Sequence, residues 1–71
     1  MTVVLTFDTT HHALWAEEIA REHALGVQVI NAPAVAKAKC GLALEALEED
    51  LAALQSALDS AGVAYRIFTA T

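Results

Sequence analysis

The alternation of apolar and polar positions along the chain predicts the element order β-α-β-β-α-β. The first strand covers residues 1–7, where apolar side chains recur at every second position and β-branched residues are frequent. A helix follows the Asp-Thr-Thr run at residues 8–10, because these side chains can accept hydrogen bonds from the free amides of a first helical turn. The helix continues to about Leu25 with a charged face and an alanine-rich face, and Gly26 favours its end.

The second half of the chain repeats this succession of elements. The second, third and last strands are predicted at residues 27–30, 42–44 and 63–69. The second helix begins in the acidic run at residues 48–50, where negative charge suits the helix dipole, and Gly62 ends it. Its predicted apolar stripe consists of Leu47, Leu51, Leu54, Leu58 and Ala61.

This order predicts an α+β fold of the ferredoxin-like split βαβ type. Four strands would form one antiparallel sheet, and right-handed crossovers would place both helices on one of its faces. With 71 residues, the chain is expected to be a single domain spanning 1–71. The open sheet face is mixed, so pairing with a second copy and wetting by solvent are equally compatible with it. That face is predicted to carry Val4, Thr6, Gln28, Ile30, Ala43, Glu45, Arg66 and Phe68.

The amino-acid composition argues against two classes of binding partner. Four basic residues stand against nine acidic ones, and the net charge of −5 argues against binding nucleic acid or an anionic membrane. No signal peptide or membrane-spanning run is evident, and a lone cysteine fits the reducing cytoplasm. The hydrophobic content of 56% favours a homodimer, with Trp15 and Tyr65 expected in the core or at an interface.

The single cysteine is the strongest candidate for chemistry. Cys40 follows Lys37 and Lys39, and neighbouring cations lower the pKa of a thiol and favour the reactive thiolate. Gly41 places no Cβ beside the sulfur and permits turn conformations. Two other interpretations stay open. A helical turn before Gly41 would put Cys40 at a negative helix end and raise its pKa, and burial would make it a small core residue.

Other polar residues give weaker signals. His11 and His12 are adjacent on a first helical turn, so their rings diverge, and with His23 and Cys40 they match no usual zinc-ligand spacing. The acidic residues at 45–50 suit a helix start better than a pair of catalytic carboxylates. The sequence contains no phosphate-binding glycine loop, nucleophile elbow or dinucleotide fingerprint. No cofactor and no metal are therefore expected.

Three segments carry a resemblance to a known family. They are TFDTTHHALWAEEI near the N-terminus, the Pro-x(6)-Cys-Gly segment from Pro33 to Gly41, and EEDLAAL in the second helix. Together they resemble a small bacterial family named putative selenium/sulfur carrier protein-like, over essentially the whole chain. Members commonly have an arginine after the proline and serines before the cysteine. Here Ala34 follows the proline, and Lys37 and Lys39 lie in the serine-rich stretch.

The resemblance implies that Cys40 holds a sulfur or selenium atom, as a persulfide or selenosulfide, and passes it from a donor protein to an acceptor protein. Lys37 and Lys39 would stabilise the thiolate or persulfide anion, and Gly41 would give partners access to the sulfur. Such a carrier needs no cofactor and is not a stand-alone enzyme. The alternative is a non-catalytic regulatory or protein-interaction module of ferredoxin-like fold that dimerises through its open sheet face.

Overall fold

The computed structural model describes residues 2–34 and 41–68. Their helices and strands follow the predicted order, with the second helix preceded by a short 3-10 turn. In chain order they are β1 (Thr2–Thr6), α1 (Thr10–Glu22), β2 (Val27–Asn31), β3 (Leu42–Leu47), the 3-10 turn (Glu48–Asp50), α2 (Leu51–Ala61) and β4 (Arg66–Phe68). No helix among these residues is long and apolar enough to cross a membrane.

The strands of the described residues form one four-stranded antiparallel sheet in the order β2-β3-β1-β4. Val4 at the centre of β1 lies opposite Glu45 of β3 on one side and opposite Phe68 of β4 on the other. β2 pairs with the outer side of β3, where Gln28 faces Glu45. Each helix therefore connects two parallel strands that have a third strand between them. This is the ferredoxin-like split arrangement, and the predicted fold class is confirmed.

One hydrophobic core lies between the sheet and both helices. Val3 and Leu5 of β1 and Phe7 just after it pack with the alanine-rich side of α1 and with two leucines of α2, Leu54 and Leu58. Alanines at the α1 contact let that helix approach the sheet closely, since they present no long side chain. The largest fully buried side chains are Leu5, Leu44, Leu54 and Leu58.

The predicted apolar stripe of the second helix is correct at its centre and wrong at its ends. Leu54 and Leu58 are fully buried, but Leu47 is 44% exposed because it is the last residue of β3. Ala61 is exposed at the end of α2. The helical spacing that links Leu47 to Leu51 is therefore accidental, because the chain changes from strand to helix between them.

The open face of the sheet carries the eight predicted residues in two rows across the strands. One row contains Val4 and the other contains Thr6, as the register of β1 with its neighbours requires. The middle of this face is already buried in the single chain, since Val4, Thr6 and Ala43 are 2%, 4% and 0% exposed. Little apolar area is therefore left at its centre for a second copy to cover.

Both helices end in the same capping motif with different residues at the left-handed position. After α2, the amides of Gly62 and Val63 donate to the carbonyls of Asp59 and Leu58, and Gly62 has φ 80. After α1, the amides of residues 24 and 25 make the equivalent bonds to residues 21 and 20. Here Ala24 takes the left-handed conformation, with φ 57. The prediction that Gly26 ends the first helix was wrong by two residues.

Exchanging the two capping residues should change stability in opposite directions. Ala24→Gly should stabilise the protein by up to ~1 kcal/mol, because glycine relieves a steric cost that exceeds the entropy it adds to the unfolded chain. Gly62→Ala should destabilise it by about 1 kcal/mol for the converse reason. Urea denaturation followed by circular dichroism measures both. Shifts of the same sign in the two variants would contradict this account of the helix ends.

Candidate functional site

Four strand ends meet at one edge of the sheet. Thr6 at the end of β1 pairs with the start of β3 and with Arg66 at the start of β4. Asn31 at the end of β2 lies opposite Leu42, so this strand ends there as well. We call this end of the sheet, which includes Thr6, Asn31, Gly41 and Arg66, the Gly41 edge. The sequence-predicted site belongs to the connection that joins β2 to β3 at this edge.

The connection is closed at its base by hydrogen bonding. Beyond the last ladder pair, the amide of Ala32 donates to the carbonyl of Gly41 over 2.9 Å. Pro33, which begins the segment singled out in the sequence, follows directly and is half-buried. The two strands are thus held together as far as the residue that follows Cys40.

Of the predicted site residues, only Gly41 is among the described residues, and Lys37, Lys39 and Cys40 lie outside them. Gly41 is exposed, and its φ is not in the left-handed region. A Cβ added there would meet no atom within 4 Å, its chain neighbours aside. The structure therefore leaves room for a side chain at position 41. If Gly41 has a role, it is to keep the space beside its immediate chain neighbours free of a Cβ.

Helix α1 begins at the Gly41 edge, and a side-chain cap fixes its first turn. The backbone amide of His12 donates to the Thr9 hydroxyl oxygen over 3.1 Å, and that hydroxyl also lies 2.9 Å from Nδ1 of the His12 ring. The predicted capping run is confirmed, with Thr9 as the capping residue. Thr9 is only three residues beyond the end of β1. The positive end of the α1 dipole is therefore close to this edge.

The basic residues are unevenly distributed along the chain, and the exposed Asp8, between Thr6 and Thr9, lies beside the Gly41 edge as well. Arg66 is exposed at this edge, and Lys37 and Lys39 belong to the connection attached to it. Three of the four basic residues are thus associated with this edge, although the chain has a net charge of −5. The fourth, Arg21, lies in the last turn of α1 and pairs with Glu17 over 3.3 Å.

A tyrosine next to Arg66 remains protonated at neutral pH. Partial burial of Tyr65 raises its pKa above 10.0, and the hydrogen bond to the Asp59 carboxylate raises it further, whereas a hydrogen bond with Gln55 acts in the opposite direction. Tyr65 therefore ties the start of β4 to α2. It is half-buried, as expected for a residue at the margin of the core.

The family of the chain follows from a comparison with known protein families. A family model described as Putative Se/S carrier protein-like matches residues 2–69. The chain belongs to this family. No curated protein and no solved structure matches it. The Se/S carrier match spans the whole sheet, both helices and the connection that contains Cys40.

The histidines of this Se/S carrier family member do not converge on a common point. The ring centroids of His11 and His12 are 6.1 Å apart, and both rings lie beside Trp15. His23 caps the far end of α1, roughly 16 Å further along the helix axis. The described residues contain no group of three or more His, Cys, Asp or Glu side chains placed to hold a metal ion.

A groove on α1 was not anticipated from the sequence. Trp15 was expected in the core or at an interface. It is 38% exposed, which excludes the core, and its neighbour Leu14 is 47% exposed. Together with His11 and Glu18 they border a shallow, open depression of about 340 Å³ on this helix, which we call the α1 groove. The sequence does contain a signal for the exposed position of Trp15, because the alanines of α1 share one side of the helix and that side is the buried one. Ala13, Ala16 and Ala20 are fully buried.

Proposed function

We propose that this protein carries a sulfur or selenium atom on Cys40 and transfers it from a donor protein to an acceptor protein. The observation that supports this most is the family match over residues 2–69, which includes the only cysteine of the chain. A carrier of this kind needs one accessible thiol. A second thiol in the chain could attack the bound atom and release it.

The chemical step requires no cofactor or added oxidant. The Cys40 thiolate attacks the terminal sulfur of a donor persulfide, whose sulfur–sulfur bond breaks as a new one forms on Cys40. The donor leaves as its own thiolate, and the terminal sulfur remains on Cys40 as a persulfide anion. The acceptor thiolate repeats the exchange and regenerates free Cys40. Selenium would follow the same course as a selenosulfide.

Two features of the Gly41 edge support this chemistry. Gly41 is exposed, and the Cα atoms of consecutive residues are only ~3.8 Å apart, so Cys40 is attached to an exposed strand end. The positive end of α1 and the side chain of Arg66 also belong to this edge. A positive environment favours both the attacking thiolate and the persulfide anion that it forms. The C-terminal end of α2 and the exposed carboxylate of Asp8, which lies between β1 and α1, act in the opposite direction.

The transfer itself can be tested with radiolabelled cysteine and a cysteine desulfurase. The protein is separated from the desulfurase and then mixed with an acceptor thiol. We expect label on the wild-type protein, release of that label to the acceptor, and no label on Cys40→Ser. Label that appears equally on both proteins would mean that sulfur is held elsewhere and would contradict the proposal.

The two lysines are expected to tune the thiol. Replacing Lys37 and Lys39 by alanine should raise the pKa of Cys40 and slow its alkylation at neutral pH by roughly threefold to tenfold, since one pKa unit changes the thiolate fraction about tenfold. The pH profile of iodoacetamide alkylation measures this effect. Arg21→Ala is the matched control, because it removes a cation at the other end of α1. Equal profiles in all three proteins would show that the lysines do not act on the thiol.

The proposal places the carrier in the reducing cytoplasm, where a lone thiol stays free of disulfides. The rival function, a regulatory module that pairs through its open sheet face, has less support. The middle of that face is buried in the single chain, as the 2% and 0% exposures of Val4 and Ala43 indicate. The homodimer remains a prediction, which sedimentation equilibrium can test. Carriage on Cys40 does not require it.

A further inference from the structure

The groove on α1 combines apolar and acidic groups on an exposed surface. In the described part of the chain, four large apolar side chains are exposed, and two of them, Leu14 and Trp15, are adjacent in this groove. His11 and Glu18 complete its lining. Tryptophan is among the residues that contribute most to binding at protein interfaces, because it buries a large area with few rotatable bonds.

The Trp15 ring of the groove has an aromatic neighbour on α1. The rings of His12 and Trp15 stack, with centroids 6.5 Å apart and an angle of 25° between their planes. The His12 ring is itself held by the Thr9 hydroxyl at 2.9 Å. A surface whose side chains are already ordered loses less entropy when a partner binds. The helix cap thus positions the His12 ring beside which Trp15 lies.

The groove starts at the Gly41 edge. His11 is in the first turn of α1, and the span from His11 to Glu18 covers about 10 Å along the helix axis. A protein seated in the groove would therefore extend to the edge at which the chain continues into Cys40. This placement suits a donor that must bring its own persulfide to Cys40.

Charge identifies the class of partner. Glu17 is paired with Arg21, whereas Glu18 and Glu22 are exposed and make no ion pair among the described residues. Two copies that met through this face would bring like charges together in a chain whose net charge is −5. A protein with Lys or Arg around an apolar side chain would complement both the groove and its acidic rim.

We propose that the α1 groove is the docking surface for the protein that delivers the chalcogen atom to Cys40. The occupant is a protein surface with an apolar side chain that inserts between Leu14 and Trp15, and with a basic residue that faces Glu18. This inference rests on the proposed carrier function and specifies how the donor is recognised.

The test compares loading of Cys40 from two donors. One is a cysteine desulfurase charged with cysteine, and the other is glutathione persulfide, which is too small to need a docking surface. The groove variant is Leu14→Gln with Trp15→Gln. The matched control is Leu47→Gln with Ile67→Gln, which alters apolar residues that are 44% and 41% exposed outside the groove.

We expect the groove variant to need about tenfold or more desulfurase for half-maximal loading, because an interface centred on tryptophan loses at least that much affinity on truncation. Loading from glutathione persulfide should stay at the wild-type rate, and the control variant should behave as wild type with both donors. Glu18→Gln and high salt should each weaken loading from the desulfurase but not loading from glutathione persulfide.

Three results would overturn the docking proposal. Loading could depend on the desulfurase concentration equally in the groove and control variants, or it could fail to saturate in the wild type. The third result is self-association of the wild type that only the groove variant loses. The last would assign the groove to a second copy of the chain. Failure of the carrier function itself looks different. In that case Cys40 of the wild type gains no sulfur from either donor.

Discussion

Leu58→Ala is expected to lower the free energy of unfolding by about 2–5 kcal/mol. Leu58 is fully buried in the core between α2 and the sheet, so truncation removes apolar contacts and leaves a cavity. A domain of 71 residues has a total stability on the order of 4–10 kcal/mol. The variant should therefore be partly or largely unfolded at 37 °C, which urea and thermal denaturation followed by circular dichroism would measure.

Leu47→Ala is the matched control, since it deletes the same atoms from a side chain that is 44% exposed. Leu47→Ala should change the free energy of unfolding by no more than about 0.5 kcal/mol, or by slightly more than that, as is usual for surface positions. The sequence pattern alone assigns both leucines to one helical stripe and predicts similar losses. Equal destabilisation by the two substitutions would contradict the observed fold at the junction of β3 and α2.

Cys40→Ser is expected to abolish chalcogen carriage while leaving the fold intact. A serine hydroxyl is not ionised at neutral pH and forms no persulfide, so loading should fall to the background seen with no protein. Circular dichroism and urea denaturation should match the wild type if Cys40 is an exposed thiol. A variant that loses several kcal/mol of stability would indicate a buried cysteine with a packing role.

Moving the thiol to another position tests whether the surroundings of Cys40, and not merely the presence of a cysteine, determine the rate of loading. Combining Cys40→Ser with Ala52→Cys places one thiol on an exposed position near the start of α2, away from the Gly41 edge. The relocated thiol should react with iodoacetamide but should load slowly from a desulfurase. Loading at the wild-type rate would show that the surroundings of Cys40 contribute nothing.

The fold could be predicted because its signals are local and agree with one another. The alternation in β1, the Thr9 cap and the left-handed Gly62 each specify a nearby structure. The errors arose where two patterns overlapped or where tertiary structure overrode a preference. Leu47 fits both a strand and a helical stripe, and Ala24 adopts a conformation that favours glycine. Neither outcome is encoded in a short window of sequence.

The candidate site could be predicted only in part. The sequence identifies Cys40 and its lysines, because they are adjacent in the chain. It does not indicate that Arg66 and the start of α1 belong to the same edge, since this depends on the order β2-β3-β1-β4. The groove was missed for a related reason. Trp15 is apolar, and only the packing of α1 on the sheet reveals that it faces away from the core.

The most direct test of the central claim is intact-mass spectrometry of the wild-type protein after incubation with a cysteine desulfurase and cysteine, with Cys40→Ser treated in parallel. The carrier account predicts a gain of one sulfur atom on the wild type alone, which a thiol reductant removes. No gain on the wild type, together with slow alkylation of Cys40 in the folded protein, would contradict it and leave Cys40 as a structural residue.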